Sequence, residues 1–172
     1  MVFSLDLGCA VLRELALSDA PSLTRHANDR RIWLQLRDVF PHPYQEEDAR
    51  EFIERIRLQN QPTAFALAVD GHAVGVIGLT VQTDINRLSA EIGYWVGAAY
   101  WGRGIATAAV RALTSWSMDQ LGLIRLFAMP FAHNVASCLV LGKAGYVREG
   151  LLRKSAIKDG QVLDQVLYDY IG

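Results

Sequence analysis

The sequence predicts an α+β domain on a mixed sheet, and three observations predict it. Residues 63–96 and 146–170 carry apolar side chains at a period of two, the mark of strands, whereas 45–59 and 105–121 carry them at helical spacing. Two Asp-Gly pairs, Asp70-Gly71 and Asp159-Gly160, fall between alternating runs and signal hairpins. The resulting order is strand, helices, three antiparallel strands, helix, strand, helix and hairpin. That is not the strict βαβ alternation of a dinucleotide fold.

In chain order, Val11 to Leu15 reads as a first strand. Ser18-Asp19-Ala20-Pro21 offers an N-cap with proline in the first turn and opens a helix to about Asn28. Arg30 to Leu36 reads as a second helical piece, stopped before Phe40-Pro41-His42-Pro43-Tyr44, which its prolines keep irregular. Gln45 to Gln59 is an amphipathic helix with Ala49, Phe52, Ile53 and Ile56 on one face. Thr63 to Val69, Ala73 to Thr83 and Leu88 to Val96 are strands. A glycine turn then leads into a helix from Ile105 to Leu121. Ile124 to Met129 is a short buried strand and Asn134 to Lys143 a helix. Tyr146 to Ile157 and Val162 to Tyr170 close the chain as a hairpin.

Bulk properties narrow the function classes. A chain of 172 residues that is 51% hydrophobic suits one compact domain spanning 1–172. With 17 Lys+Arg against 18 Asp+Glu, the net charge of −1 gives no basic stripe for nucleic acid or an anionic membrane. Cys9 and Cys138 are far apart and show no metal-ligand spacing, so neither a disulfide framework nor a metal is expected. Met1 to Asp6 has no basic region and carries an early acid, unlike a signal peptide. No apolar run is long enough to span a bilayer, and a soluble, cytoplasmic protein is expected.

Trp101-Gly102-Arg103-Gly104-Ile105-Ala106-Thr107 lies between a strand and a helix, a layout that presents free N–H groups and the positive end of the helix dipole to an anion. Two readings of this turn stand side by side: a phosphate cradle, or a tight turn that needs glycine only for positive φ. Glu91, in the strand just before the turn, is a candidate general base, against the ordinary reading of a solvated strand residue. Alternation sets Ala90, Ile92, Tyr94 and Val96 on one face and Glu91, Gly93 and Trp95 on the other. In Asn134-Val135-Ala136-Ser137, Asn134 suits an N-cap with Ser137 at N3, and capping does not exclude ligand contact, because a helix start near a cofactor can do both.

Taken together these motifs resemble the GNAT superfamily of acyl-CoA-dependent N-acetyltransferases, and most closely its branch of ribosomal-protein N-terminal acetyltransferases. Trp101-Gly102-Arg103-Gly104-Ile105-Ala106 is similar to the family's Gln/Arg-x-x-Gly-x-Gly/Ala loop, with Trp101 in place of the polar first residue. Asn134-x-x-Ser137, Lys143-Ala144-Gly145-Tyr146 and Glu149-Gly150 resemble the downstream motif. Many members carry a tyrosine acid seven residues after the asparagine, where this chain has Leu141.

The resemblance implies a GNAT-like, mostly antiparallel sheet flanked by helices, with acetyl-CoA in a cleft between splayed strands at Leu88–Val96 and Ile124–Met129. It implies a pyrophosphate on the N–H groups of Gly102 to Thr107, with Arg103 the candidate for side-chain help, Trp95 and Val96 beside the thioester, and Asn134 and Ser137 near the cofactor. It further implies direct attack by a primary amine in a ternary complex. Glu91 would be the base, an N–H near Val96 the oxyanion donor and Ser137 the acid on the departing thiolate.

The acceptor is read as a protein N-terminus or a small amine, with the Val39–Tyr44 loop and Trp33 as its wall, through Trp33, Phe40, His42 and Tyr44. His26 and His72 read as surface residues. The open edge of the C-terminal hairpin allows a homodimer. A different class, a non-catalytic CoA-binding sensor or assembly module, fits the same turn. A nicotinamide or nucleoside-triphosphate binder fits less well, because the full G-x-G-x-x-G and a G-K-[ST] ending are both missing.

Overall fold

The computed structural model describes residues 3–172; Met1 and Val2 of the N-terminal reading lie outside the described residues. Eight strands run in the order β1-β2-β3-β4-β5-β6-β8-β7: β1 Ser4–Asp6, β2 Val11–Glu14, β3 Ala64–Val69, β4 His72–Val81, β5 Ser89–Val96, β6 Arg125–Ala128, β7 Val147–Lys158 and β8 Gln161–Ile171. The helices are α1 Ala20–Ala27, α2 Arg30–Trp33, α3 Glu46–Arg57, α4 Ile105–Leu121 and α5 Val135–Lys143. The β1–β2, β2–β3, β3–β4, β6–β8 and β7–β8 pairings are antiparallel, while β5 pairs with β6 in parallel. This is the mixed, mostly antiparallel α+β fold read from the sequence.

Both Asp-Gly turns are mirror-image hairpin turns. Asp70 and Gly71 have φ of 49° and 81°, and Asp159 and Gly160 have 50° and 74°. Positive φ at both central residues matches the right-handed twist of the flanking strands. The first turn joins β3 to β4 and the second joins β7 to β8.

Contacts divide the chain into two units, Met1–Gly78 with Tyr94–Ala109, and Leu79–Gly93 with Val110–Gly172. In the first, the predicted apolar face of α3 is inside: Ala49, Ile53 and Ile56 are buried and Phe52 packs on the same cluster with Leu23 of α1, Ala66 of β3 and Val76 of β4. The Ser22 hydroxyl donates to the Ala73 carbonyl at 2.7 Å and ties α1 to β4. Arg13 of β2 grips Asp19, just before α1, through two bonds of 2.8 and 2.7 Å. Burial pushes the Asp19 carboxyl up, but the Arg13 bonds and the Ala16 N–H outweigh it, and its pKa is lowered.

In the second unit Ala90 and Ile92 of β5, Val110 and Leu113 of α4, Leu126 of β6 and Leu141 of α5 are buried. The Tyr146 phenol and Thr114 hydroxyl share a buried hydrogen bond of 2.8 Å. Burial lifts that phenol to about 12, so it stays protonated and structural. Arg111 of α4 donates to the Lys143 carbonyl and closes the C-terminus of α5.

Several element ends differ from the sequence reading by a residue or two, and the local geometry departs from it at three places. Ser4–Asp6 adds a strand, paired to β2 through a turn in which the Leu7 N–H donates to Ala10 at 2.9 Å. Arg30 to Leu36 is helical only to Trp33, because the N–H groups of Gln35 and Leu36 bond three residues back, to Ile32 and Trp33, and tighten the chain out of the α-helix. The helix at Pro21 is entered through a short 3₁₀ turn, Leu17–Asp19, and Asp19 is its N-cap residue.

Candidate functional site

The first unit holds the glycine turn. Gly102 and Gly104 take φ of 75° and 79°, and a Cβ on either would meet nothing within 4 Å. Glycine is therefore required there by backbone conformation, and open space lies in front of the turn. The Ala108 N–H bonds back to Gly104 at 3.0 Å, which places Ile105, Ala106 and Thr107 in the first turn of α4, where a helix leaves N–H groups without an intrahelical acceptor. Ile105 is buried and anchors the helix start, whereas Ala106 and Thr107 are half-buried. The donor set and the open space fit a pyrophosphate group.

The strand end before the turn is fixed from several sides. The indole Nε1–H of Trp101 donates to the Val96 carbonyl at 2.7 Å. The Gly97 N–H donates to Val74 of β4 at 2.7 Å. A Cβ on Gly75 would lie 2.4 Å from the Trp95 carbonyl oxygen, so β4 and β5 approach here as only glycine allows. His26 of α1, read from sequence as a surface residue, lies against Gly97, where a Cβ would come within 2.8 Å of its Nδ1, and meets Tyr100 edge-on at 5.4 Å. Burial, then the charge of Arg25, lowers the His26 pKa.

The arginines take up positions on aromatic rings. Arg103 lies over Tyr100 at 4.9 Å and donates Nη2 to the Ala99 carbonyl at 3.0 Å. Arg31 of α2 lies over Trp101 at 5.2 Å. Asp29 holds Arg31 through Nε at 3.0 Å and Nη2 at 2.6 Å.

The residues read as an acceptor wall form two aromatic pairs in this unit. Trp33 and His42 stack at 5.3 Å, Phe40 and Tyr44 meet at 4.8 Å, and Phe40 meets Trp95 at 5.8 Å. Tyr44 is buried, and its phenol is raised to about 12 by burial first and then by Asp48, so it packs rather than titrates. The Trp95 side chain belongs to this aromatic cluster. Gln35, which sequence reading passed over, has a buried Oε1 without a hydrogen-bond partner among the described residues.

The second unit holds the other candidates. Glu91 is half-buried on β5, opposite Phe127 of β6. The parallel β5–β6 pairing ends at this pair, although β5 continues to Val96. Asn134 is the N-cap of α5: its Oδ1 accepts the Ser137 N–H at 3.1 Å. Ser137 is half-buried at N3, as expected. Leu141 is fully buried core, in keeping with an aliphatic residue where many members carry a tyrosine. Tyr168 of β8, also missed from sequence, lies by the Cys138 side chain, and burial followed by that thiol raises its pKa. Among the described residues, no helix is long and apolar enough to cross a membrane.

Comparison with known proteins gives three kinds of likeness. The family described as acetyltransferase (GNAT) domain matches residues 10–147. An uncharacterized N-acetyltransferase, p20, of Bacillus licheniformis is 28% identical over 93% of this chain and 91% of its own. A ribosomal-protein-serine acetyltransferase of Escherichia coli is 29% identical over 80% of this chain and 79% of its own. Among solved structures, the microcin C7 self-immunity acetyltransferase in complex with acetyl-CoA and AMP is similar, with a TM-score of 0.83 and 25% identity over 95% of this chain and 92% of that one.

Proposed function

The chain belongs to the acetyltransferase (GNAT) family and is an acyltransferase, and from that premise we propose that it moves an acetyl group from acetyl-CoA to a primary amine by direct attack in a ternary complex. The observation that supports this reading is the turn at Gly102 and Gly104, whose positive φ values and open front offer the N–H groups of Gly102 to Thr107 to a pyrophosphate. Asn134 and Ser137, at the start of α5, are the further cofactor residues of this proposal.

Acetyl-CoA, when bound, supplies a thioester whose carbonyl carbon accepts the amine. A primary amine is protonated near neutral pH and becomes a nucleophile only after losing that proton. Glu91 takes it, directly or through a water, a role worth about 10²–10⁴-fold in rate. The N–H near Val96 stabilises negative charge on the carbonyl oxygen. Ser137 donates a proton or hydrogen bond to the departing thiolate. The acceptor is a protein N-terminus or a small amine, lodged against Trp33, Phe40, His42 and Tyr44. A cytoplasmic location and a single catalytic domain over 1–172 belong to the same proposal.

Thiol release from acetyl-CoA on adding a panel of amines and N-terminal peptides tests this function. Release that depends on one class of amine supports it and names the acceptor. Binding of acetyl-CoA without release on any amine would leave only a CoA-binding module.

A further inference from the structure

We propose that Arg31, through its stack on Trp101, is a second side-chain contact for the pyrophosphate of acetyl-CoA; this rests on the cofactor reading above. Trp101 is the residue that leads into the turn, and its indole cannot swing, because Nε1–H is bonded to the Val96 carbonyl at 2.7 Å. Arg31 covers that ring with its guanidinium 5.2 Å from the centroid. Asp29 takes the Nε and one Nη2 proton at 3.0 and 2.6 Å, which sets the direction of the fork. The Nη1 amino group and the second Nη2 proton are left for another acceptor. The Arg31 side chain is 66% exposed, so an arriving anion reaches it without opening the protein.

A planar fork held on an aromatic face is the form in which arginine binds phosphate oxygens best, since little rotamer freedom is lost on contact. Arg103 offers the same arrangement one residue earlier in the chain, over Tyr100 at 4.9 Å. The Tyr100-Trp101 pair thus enters the turn with a guanidinium on each ring. Arg31 thereby serves the first position of the loop, where the family's polar side chain is replaced by Trp101. Because Asp29 already balances its charge, Arg31 acts by directed hydrogen bonds more than by long-range attraction.

The experiment compares Arg31→Gln with the unaltered protein for three probes: CoA, 3′-dephospho-CoA and S-acetylpantetheine. CoA and 3′-dephospho-CoA are measured by calorimetric affinity, and S-acetylpantetheine by KM. The variant is expected to bind both CoA and 3′-dephospho-CoA about tenfold more weakly, with an unchanged KM for S-acetylpantetheine, which has no pyrophosphate. Equal affinity for CoA in the two proteins overturns the proposal. A loss confined to CoA and absent with 3′-dephospho-CoA also overturns it, since the contact would then be to the 3′-phosphate. An equal loss with S-acetylpantetheine would reduce Arg31 to a structural role. Failure of the unaltered protein to bind CoA would overturn the cofactor reading instead.

Discussion

The Trp101 indole donates its Nε1–H to the Val96 carbonyl at 2.7 Å, joining the first residue of the glycine turn to the last residue of β5. That carbonyl and the Gly97 N–H belong to one peptide unit, and the N–H is bonded to Val74 at 2.7 Å. The plane is therefore held at both ends. Trp101→Phe keeps a six-membered ring under Arg31 while removing the donor. The expected cost is that of one hydrogen bond, about 0.5–1.5 kcal/mol, seen as a Tm lower by a few degrees. Turnover is expected to fall severalfold with little change in the acetyl-CoA KM, because in the proposed site the phosphates are held by backbone N–H groups that the variant keeps. Steady-state kinetics at saturating amine check this, and an unchanged kcat would show that the strand end does not need the bond.

Glycines around the site divide by the reason each is glycine. At Gly75 a Cβ would stand 2.4 Å from the Trp95 carbonyl oxygen, a backbone atom that cannot step aside alone. Gly75→Ala is expected to push β4 from β5, to cost about 1–3 kcal/mol, and to lower activity with it. Gly102→Ala meets no neighbour but must hold φ at 75°, an expected cost of about 1 kcal/mol with a weakened affinity for CoA. Denaturant melts and CoA titration on the two variants separate crowding from backbone strain.

The elements legible in the sequence were those whose side chains repeat. The alternation of β5 placed Ala90, Ile92 and Val96 inside, and helical spacing picked the buried face of α3. The hairpins were legible because positive φ at two successive residues favours Asp-Gly. The strand Ser4–Asp6 is too short to show a period. Arg31 on Trp101, His26 against Gly97 and Tyr168 at Cys138 join segments far apart in the chain, and no local pattern announces such pairs. The glycine turn and the Asn134 cap were legible as motifs. The aromatic packing of Trp95 was not, since alternation gives a side of the sheet and not a neighbour.

His26 and Asp19 both contribute to the acid limb of stability. The His26 pKa is lowered from its ordinary 6.5, by burial first and then by Arg25, so the folded chain binds its proton less readily than the unfolded chain. Stability is whole above 6.5 and declines as pH falls through that value toward the lower folded pKa. The Asp19 pKa is lowered from 3.8 despite burial, by the bonds from Arg13 and Ala16, so its contribution is present above 3.8 and is lost as pH falls through the folded value. Melting curves across pH should show a first decline near neutrality that His26→Gln removes, and a second, more acid one that Asp19→Asn removes.

Gln35 carries a carbonyl oxygen buried without a partner among the described residues. An unsatisfied buried acceptor costs about 1–3 kcal/mol, and replacing it with an apolar group of similar shape relieves that cost. Gln35→Met is therefore expected to raise the Tm by a few degrees. A lower Tm in a thermal melt would mean that the amide has a bonding role of its own.

The chemistry of the second unit turns on whether Ser137 acts through its hydroxyl or only through its backbone. Asn134 Oδ1 accepts the Ser137 N–H at 3.1 Å, and alanine keeps that N–H. Ser137→Ala thus preserves the cap of α5 and removes the hydroxyl alone, so a loss of kcat at unchanged Tm reports on the departing thiolate. Asn134→Ala does the reverse: it removes the cap, costs about 0.5–2 kcal/mol, and lowers the Tm. Glu91→Gln removes the proposed base while keeping a side chain of nearly the same size. It is expected to lower turnover by about 10²–10⁴-fold with CoA affinity intact. Raising the pH to deprotonate the amine in solution should restore part of the Glu91→Gln rate but none of the Ser137→Ala rate, because only the first variant lacks the group that takes the amine proton. A Glu91→Gln rate equal to that of the unaltered protein near neutral pH would remove Glu91 from the mechanism, and an unchanged Ser137→Ala rate would leave Ser137 as part of the helix start alone.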